Sequence, residues 1–431
     1  MRIYILSLGC AKNRVDSECL AGELVRAGHI IADEPSSADI GIVNTCGFIR
    51  PAVEESISAI LELEELKQKG ILKKIGVVGC LLNRYGNDLK KEIPSIDFWA
   101  KSEDWATVLE NLDSIPNCGR CRYPLPSSLK FTRYLKISEG CDNRCTYCAI
   151  PSIRGGLRSL SINTVVKEAE QLVCEGVREI CVVGQDLTVY GTDVCGKSRL
   201  IELLDALENS LPKNIWIRLL YLHPSRVGKD LLERVASGTQ IIPYLDIPVQ
   251  HGDSEILSLM NRGITDETLI DIFRTARAIN PDFALRTTCM VGFPGEKKKH
   301  FDKMLRFIEN AKFDRMGAFT FFREEGTEAY AMEAQVPEAV KNRRLASLMA
   351  LQEEISSERQ QLFVGRELDV LIEKINREEG FAEGRSYREA PEVDGIVEVR
   401  NIRQSLQEGD IIKVRMTDAM PHDMIGEEAA K

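Results

Sequence analysis

The run Gly140-Cys141-Asp142-Asn143-Arg144-Cys145-Thr146-Tyr147-Cys148 places three cysteines in the spacing C-x3-C-x2-C. Thiolates are the standard ligands of iron–sulfur clusters, and a cubane cluster has four irons. A triplet supplies three ligands and leaves one iron open. An open coordination position marks a catalytic metal rather than a structural one. The plain alternatives are zinc or buried thiols. A structural zinc needs four ligands, and no nearby cysteine or histidine completes the set within this loop.

A second triplet is dispersed. Cys10, Cys46 and Cys80 each lie just past an apolar stretch that reads as a parallel strand. In a doubly wound sheet the carboxyl ends of the strands border the ligand crevice. Three cysteines at three such ends can converge on one point, and helix N-termini that follow favour an anionic sulfide cluster. Small buried thiols are the alternative for any one of them. Cys19, Cys174, Cys181, Cys195 and Cys289 lack partner spacing and read as structural thiols. Cys118 and Cys121 form a pair with no second pair beside it, so their role stays open.

The elements that must position these residues fall into three regions of the 431-residue chain. The first, residues 1–117, alternates strand (3–8, 39–44, 74–79) and helix (17–27, 53–69), which implies a parallel α/β sandwich. A proline- and serine-bearing linker spans 118–130. The second region, 131–360, carries strand candidates at 133–138, 179–184, 215–220, 241–247, 284–291 and 316–322. Helical patterns separate them (164–175, 200–209, 266–279, 299–310), as in an open or partial (β/α) barrel. A long helix over 337–363 closes it. In the third region, 363–431, alternating stretches at 367–374, 395–400 and 410–416 suggest a small antiparallel β-barrel. The central triplet follows the first barrel strand, at the end where barrel enzymes place their chemistry.

Thirteen cysteines, an odd number in a long chain without an export signal, argue against a disulfide framework and for the cytoplasm. No apolar run approaches the roughly 18 residues of a membrane span. The net charge of −10 argues against strong nonspecific nucleic-acid binding.

The central spacing resembles the signature of the radical S-adenosylmethionine superfamily. With the dispersed triplet ahead of it and a small barrel behind, the whole chain resembles the radical S-adenosylmethionine methylthiotransferase family. Its parts are similar to that family's N-terminal domain, radical core and OB-like TRAM domain. Ser7-Leu8-Gly9-Cys10-Ala11-Lys12-Asn13-Arg14-Val15-Asp16-Ser17-Glu18 resembles the RimO branch, which modifies a ribosomal protein. Ile150-Pro151-Ser152-Ile153-Arg154-Gly155 and Glu389-Ala390-Pro391-Glu392-Val393-Asp394-Gly395 do so too. Ala11 departs from the proline common at that place. The tRNA-modifying MiaB branch usually has a Gln-Met-Asn type of sequence after its first cysteine.

The resemblance implies two [4Fe–4S] clusters, one on Cys10, Cys46 and Cys80 and one on Cys141, Cys145 and Cys148, together with S-adenosylmethionine. It implies methylthiolation of an aspartate β-carbon in the twelfth protein of the small ribosomal subunit. A reductant and a sulfide source, both unidentified, are required. It adds Tyr147, between two ligand cysteines, as a cofactor contact; Gln185 and Gln250, which follow barrel strands, point by position to the same barrel mouth. Gly292 and Gly295 are read as a wall near the adenosine, although a tight turn explains them as well. Arg218 and Arg286 could meet the methionine carboxylate or form structural salt bridges. The rival in the same family is a tRNA methylthiotransferase acting on an N6-modified adenosine. A rival of another class is an electron carrier, which predicts fully ligated clusters. From 364 to 431 there are 16 acidic and 10 basic residues, a net −6. Such a barrel is a poor RNA clamp and a plausible dock for a basic ribosomal protein.

Overall fold

The computed structural model describes residues 1–115, 121–126 and 129–429. The first sheet is built from β1 (Arg2–Ser7), β2 (Ile30–Ala32), β3 (Ile40–Thr45), β4 (Lys74–Gly79) and β5 (Phe98–Ala100). The order is β2-β1-β3-β4-β5, all parallel. Helices cover both faces, which is why β3 is buried along its whole length and reads as a nearly unbroken apolar run. β2 and β5 are additions to the three expected strands. Three residues each are too few to leave a periodic signal.

The middle of the chain supplies β6 (Thr132–Lys136), a short ladder of β7 (Ser138–Glu139) with β8 (Arg158–Ser159), then β9 (Glu179–Val183), β10 (Trp216–Leu219), β11 (Tyr244–Asp246), β12 (Ala284–Val291) and β13 (Arg315–Thr320). Two parallel sheets, β10-β9-β6 and β11-β12-β13, are linked by a bridge between Ile217 and Ile241. The six strands therefore curve as a partial barrel. Leu203, Leu231, Phe273 and Phe307 from the intervening helices bury its outer face. The helix Glu338–Gln361 follows.

The last region is a closed barrel, β14-β15-β16-β18-β17, from β14 (Glu367–Asn376), β15 (Phe381–Arg385), β16 (Val397–Arg400), β17 (Ile411–Ala419) and β18 (Met424–Glu428). Four of its ladders are antiparallel and β16–β18 is parallel. The expected barrel is thus not antiparallel throughout. Five strands in a ring cannot all alternate in direction, so one pairing must be parallel.

The segment 386–394 leaves this barrel and enters the central one at the N-terminal ends of its strands. Ala390 is packed among Cys181, Tyr244 and Ala284. Tyr134 Oη donates to Glu392 at 2.7 Å and Tyr244 Oη to Asp394 at 2.6 Å. Arg315 pairs with Glu389 at 2.8 Å. This plug closes the end opposite the cysteines.

Candidate active site

Cys10, Cys46 and Cys80 leave adjacent parallel strands at the same sheet edge. Cys10 caps the helix Ala11–Arg26, Cys46 follows β3, and Cys80 opens the helix Cys80–Glu92 after β4. Two glycines let the loops close. A Cβ on Gly9, whose φ is +86°, would lie 2.7 Å from Cys46 Cβ and 3.0 Å from its Sγ. One on Gly47 would lie 2.8 Å from the Cys80 carbonyl oxygen. Any side chain there would force the triplet apart. Burial pushes the Cys80 thiol up to about 12; Arg154 pulls it back, while Cys10 and Cys46 add to the rise.

Cys141, Cys145 and Cys148 lie between β7 and the helix Ile150–Arg154. The loop is stapled to the turn at 259–262. Thr146 Oγ1 donates to the Leu259 carbonyl at 2.8 Å, and Asn261 donates to the Arg144 carbonyl at 2.7 Å. Burial pushes the Cys148 thiol up to about 12 and raises that of Cys141. Clustered thiols of this kind become ligands only when a metal takes the place of their protons. Arg262 donates to the Pro248 carbonyl at 2.6 Å and lies 3.6 Å from Cys145 Sγ.

Cys80 meets the segment that follows the central triplet. Cys80 packs against Ala149 and Ile153 of the loop and helix behind the central triplet. Arg154 Nε donates to Cys80 Sγ at 3.0 Å, and its other nitrogens hold Asp16 at 2.7 Å, Glu139 at 3.1 Å and Asn13 at 2.9 Å. Lys136 binds the same two carboxylates, Asp16 and, at 2.7 Å, Glu139, and also Glu103 at 2.7 Å. Among the described residues, Asp16, Glu103 and Glu139 are the acidic, histidine or cysteine group tight enough for one metal ion. The Lys136 ammonium already fills it. Neither cysteine triplet belongs to that group, and thiolates are the usual ligands of iron–sulfur clusters.

A cavity of 230 Å³ is walled by Cys141, Cys145, Cys148, Tyr147, Gln185 and Gln250, with Lys12 and Phe48 contributed by the N-terminal domain. A second cavity adjoins it across Phe48, Tyr147, Tyr221, Pro248 and Gln250 and is lined by Met290, Phe319 and Phe321. Tyr221 and Gln250, on this shared wall, have φ of +67° and +70°. Left-handed non-glycine residues of this kind collect at functional sites. The side-chain oxygen of Gln250 is buried without a hydrogen-bond partner. Two sets of three thiols, an orphaned acceptor and an adjoining cavity fit two clusters and a bound S-adenosylmethionine.

Of the secondary candidates, Tyr147, Gln185 and Gln250 reach this cavity. Arg218 and Arg286 do not line it; they take the salt-bridge alternative. Arg218 is fully buried against Glu179 at 2.7 Å and donates to the Tyr387 carbonyl at 2.9 Å. Arg286 pairs with Asp246 at 3.0 Å and Asp394 at 3.4 Å. Both brace the plug. Gly292 and Gly295 shape the turn after β12, where Glu296 accepts from the Gly292 amide at 2.6 Å. His223 lines the cavity, and burial pushes its pKa down to about 3, so it is a neutral wall. Cys118 lies outside the described residues, so its pairing with Cys121 does too. Lys12, Phe48, Tyr221, Arg154 and Arg262 were not predicted as site residues. Lys12 and Arg154 stand inside the quoted motifs, but nothing in their spacing assigns a role. Among the described residues no helix is long and apolar enough to cross a membrane.

Three family models match the chain: "Uncharacterized protein family UPF0004" over residues 2–101, "Radical SAM superfamily" over 135–308 and "TRAM domain" over 364–428. A Carboxydothermus hydrogenoformans protein named ribosomal protein uS12 methylthiotransferase RimO is 40% identical, covering 99% of both chains. The Aquifex aeolicus protein of that name is 42% identical over 99% of this chain and 97% of its own. The solved radical S-adenosylmethionine methyltransferase TsrM from Kitasatospora setae superposes with a TM-score of 0.56 at 14% identity, covering 74% of this chain and 72% of its own. That last likeness speaks for the fold alone.

Proposed function

The chain belongs to the ribosomal protein uS12 methylthiotransferase RimO family, and on that premise we propose how its residues divide the work. The enzyme is a radical S-adenosylmethionine transferase that methylthiolates ribosomal protein uS12, at an aspartate β-carbon. Residues 1–117 hold one cluster through Cys10, Cys46 and Cys80. Residues 131–360 hold the other through Cys141, Cys145 and Cys148. Residues 363–431 help to seat the substrate. When bound, the central cluster would pass on the electron that cleaves S-adenosylmethionine, and the N-terminal cluster would carry the externally supplied sulfide.

The chain's own contribution is placement and exclusion of water. Tyr147, Gln185 and Gln250 orient the cofactor in the cavity beside the central cysteines. Tyr221 and Phe48 close the wall shared with the neighbouring cavity. Arg154 holds Cys80 of the N-terminal triplet beside the helix that follows the central one, and Lys12 and Phe48, chain neighbours of Cys10 and Cys46, reach the cavity of the central cysteines. Radical abstraction is selective only if a single C–H bond is presented. The carrying observation is the Arg154–Cys80 contact together with the common cavity wall. The tRNA alternative finds no support in the relatives' names or in the acidic terminal barrel. A cytoplasmic location follows from the substrate. The reductant and the sulfide source are small or protein partners supplied from outside the chain.

The experiment is mass spectrometry of uS12 and of tRNA from cells lacking this gene. Loss of the methylthio group from uS12, with tRNA unchanged, is expected. Loss from tRNA alone would overturn the assignment.

A further inference from the structure

Lys12 stands two residues past Cys10 on the first turn of the helix Ala11–Arg26. It is 6% exposed. Its ammonium lies 3.9 Å from the centre of the Tyr221 ring, and among the described residues it has neither an ion pair nor a hydrogen bond. The other buried cations nearby are all engaged. Lys136 holds three carboxylates, Arg154 holds two, and Arg262 is fixed on the Pro248 carbonyl. A buried charge is costly unless paired, and one cation–π contact only partly offsets that cost. Lys12 faces the cavity beside Cys141, Cys145 and Cys148, and no Asp or Glu lines that cavity. Tyr221 carries its wall on into the adjoining space. Lys12 thus sets a positive charge at the wall of a cavity whose lining carries no carboxylate.

We propose that Lys12 binds the side-chain carboxylate of the substrate aspartate and so selects an acidic side chain over an amide or a nucleobase. This assignment rests on the aspartate-modifying reading above. The reacting β-carbon is bonded directly to the carboxyl carbon. Gripping the carboxylate therefore fixes the C–H bond relative to both triplets. The methionine carboxylate of S-adenosylmethionine has the same chemistry. Lys12 belongs to the N-terminal domain's helix behind Cys10 rather than to the central cysteine loop, which favours the substrate.

The test uses the reconstituted holoenzyme under anaerobic conditions. Fluorescence anisotropy measures binding of a labelled uS12 loop peptide and of its Asp-to-Asn analogue. Equilibrium dialysis measures S-adenosylmethionine separately. The wild type should prefer the aspartate peptide. Lys12→Met should weaken that peptide roughly tenfold to a hundredfold, the range of a charged hydrogen bond. It should leave the asparagine peptide and S-adenosylmethionine unchanged. Lys12→Arg should keep most of the preference, and unchanged iron content shows that both variants are intact. Full aspartate-peptide affinity in Lys12→Met, or loss of S-adenosylmethionine binding instead, overturns the assignment. A wild type that binds neither peptide overturns the substrate reading itself.

Discussion

Arg154 Nε lies 3.0 Å from Cys80 Sγ, so a residue of the helix that follows the central cysteine triplet touches a member of the other triplet. The same guanidinium also holds Asp16 and Glu139, one from each domain. Removing it would leave two buried carboxylates with Lys136 alone. Arg154→Met should destabilise the protein by about 3–5 kcal/mol, the usual cost of breaking a buried pair. The melting temperature and the iron content would report it. Wild-type stability in this variant would count against the tie.

The cysteine triplets should be separable in function. Cys141→Ala should abolish 5′-deoxyadenosine formation after anaerobic reduction. Cys46→Ala should still form it and yield no methylthiolated uS12. Chromatography of the nucleoside and mass analysis of the peptide check both. Normal product from Cys46→Ala would contradict the carrier role of the N-terminal triplet.

Acid should loosen the plug. Burial raises the Glu179 carboxyl, but Arg218 at 2.7 Å and Arg385 at 2.6 Å outweigh it and hold the group down at about 2, below its ordinary 4.5. The unfolded chain therefore takes up the proton first as pH falls. The stabilisation is present above pH 4.5 and is lost on the way down to about 2, on the order of 3 kcal/mol in all. Denaturant midpoints across that window should fall in the wild type. In Glu179→Gln that part of the slope should be missing.

Substrate binding should weaken with salt. The terminal region carries a net −6, and a basic ribosomal protein approaching it is attracted over roughly a Debye length, ~8–10 Å at moderate ionic strength. Association rates measured from low to high salt should drop. A flat response would remove the electrostatic role of the barrel.

Much of this was legible in the chain because it rests on short-range patterns. The strand at 284–291 and the helix at 266–279 coincide with Ala284–Val291 and Asp266–Ile279, since both carry strong periodicity over many residues. The helix after Cys10 starts at Ala11 rather than at 17. Its first turns bear Lys12, Asn13 and Asp16, polar residues buried against tertiary partners within and beyond their own domain. Phe381–Arg385 and Met424–Glu428 were missed because each carries a glycine and charged residues in place of a clean apolar alternation. Arg218 and Arg286 pair with residues of the C-terminal region or depend on tertiary partners such as Asp246. No local pattern could say that a strand arginine faces the plug rather than the site.

The most direct measurement is electron paramagnetic resonance of the fully reduced, reconstituted protein. It is compared with two variants that each lack one triplet, Cys10/Cys46/Cys80→Ala and Cys141/Cys145/Cys148→Ala. Two clusters held as near as the Arg154–Cys80 contact implies should couple magnetically, so the wild-type spectrum should be broadened beyond the sum of the two variant spectra. A wild-type spectrum equal to that plain sum, or a variant that keeps the wild-type iron content, would contradict the account.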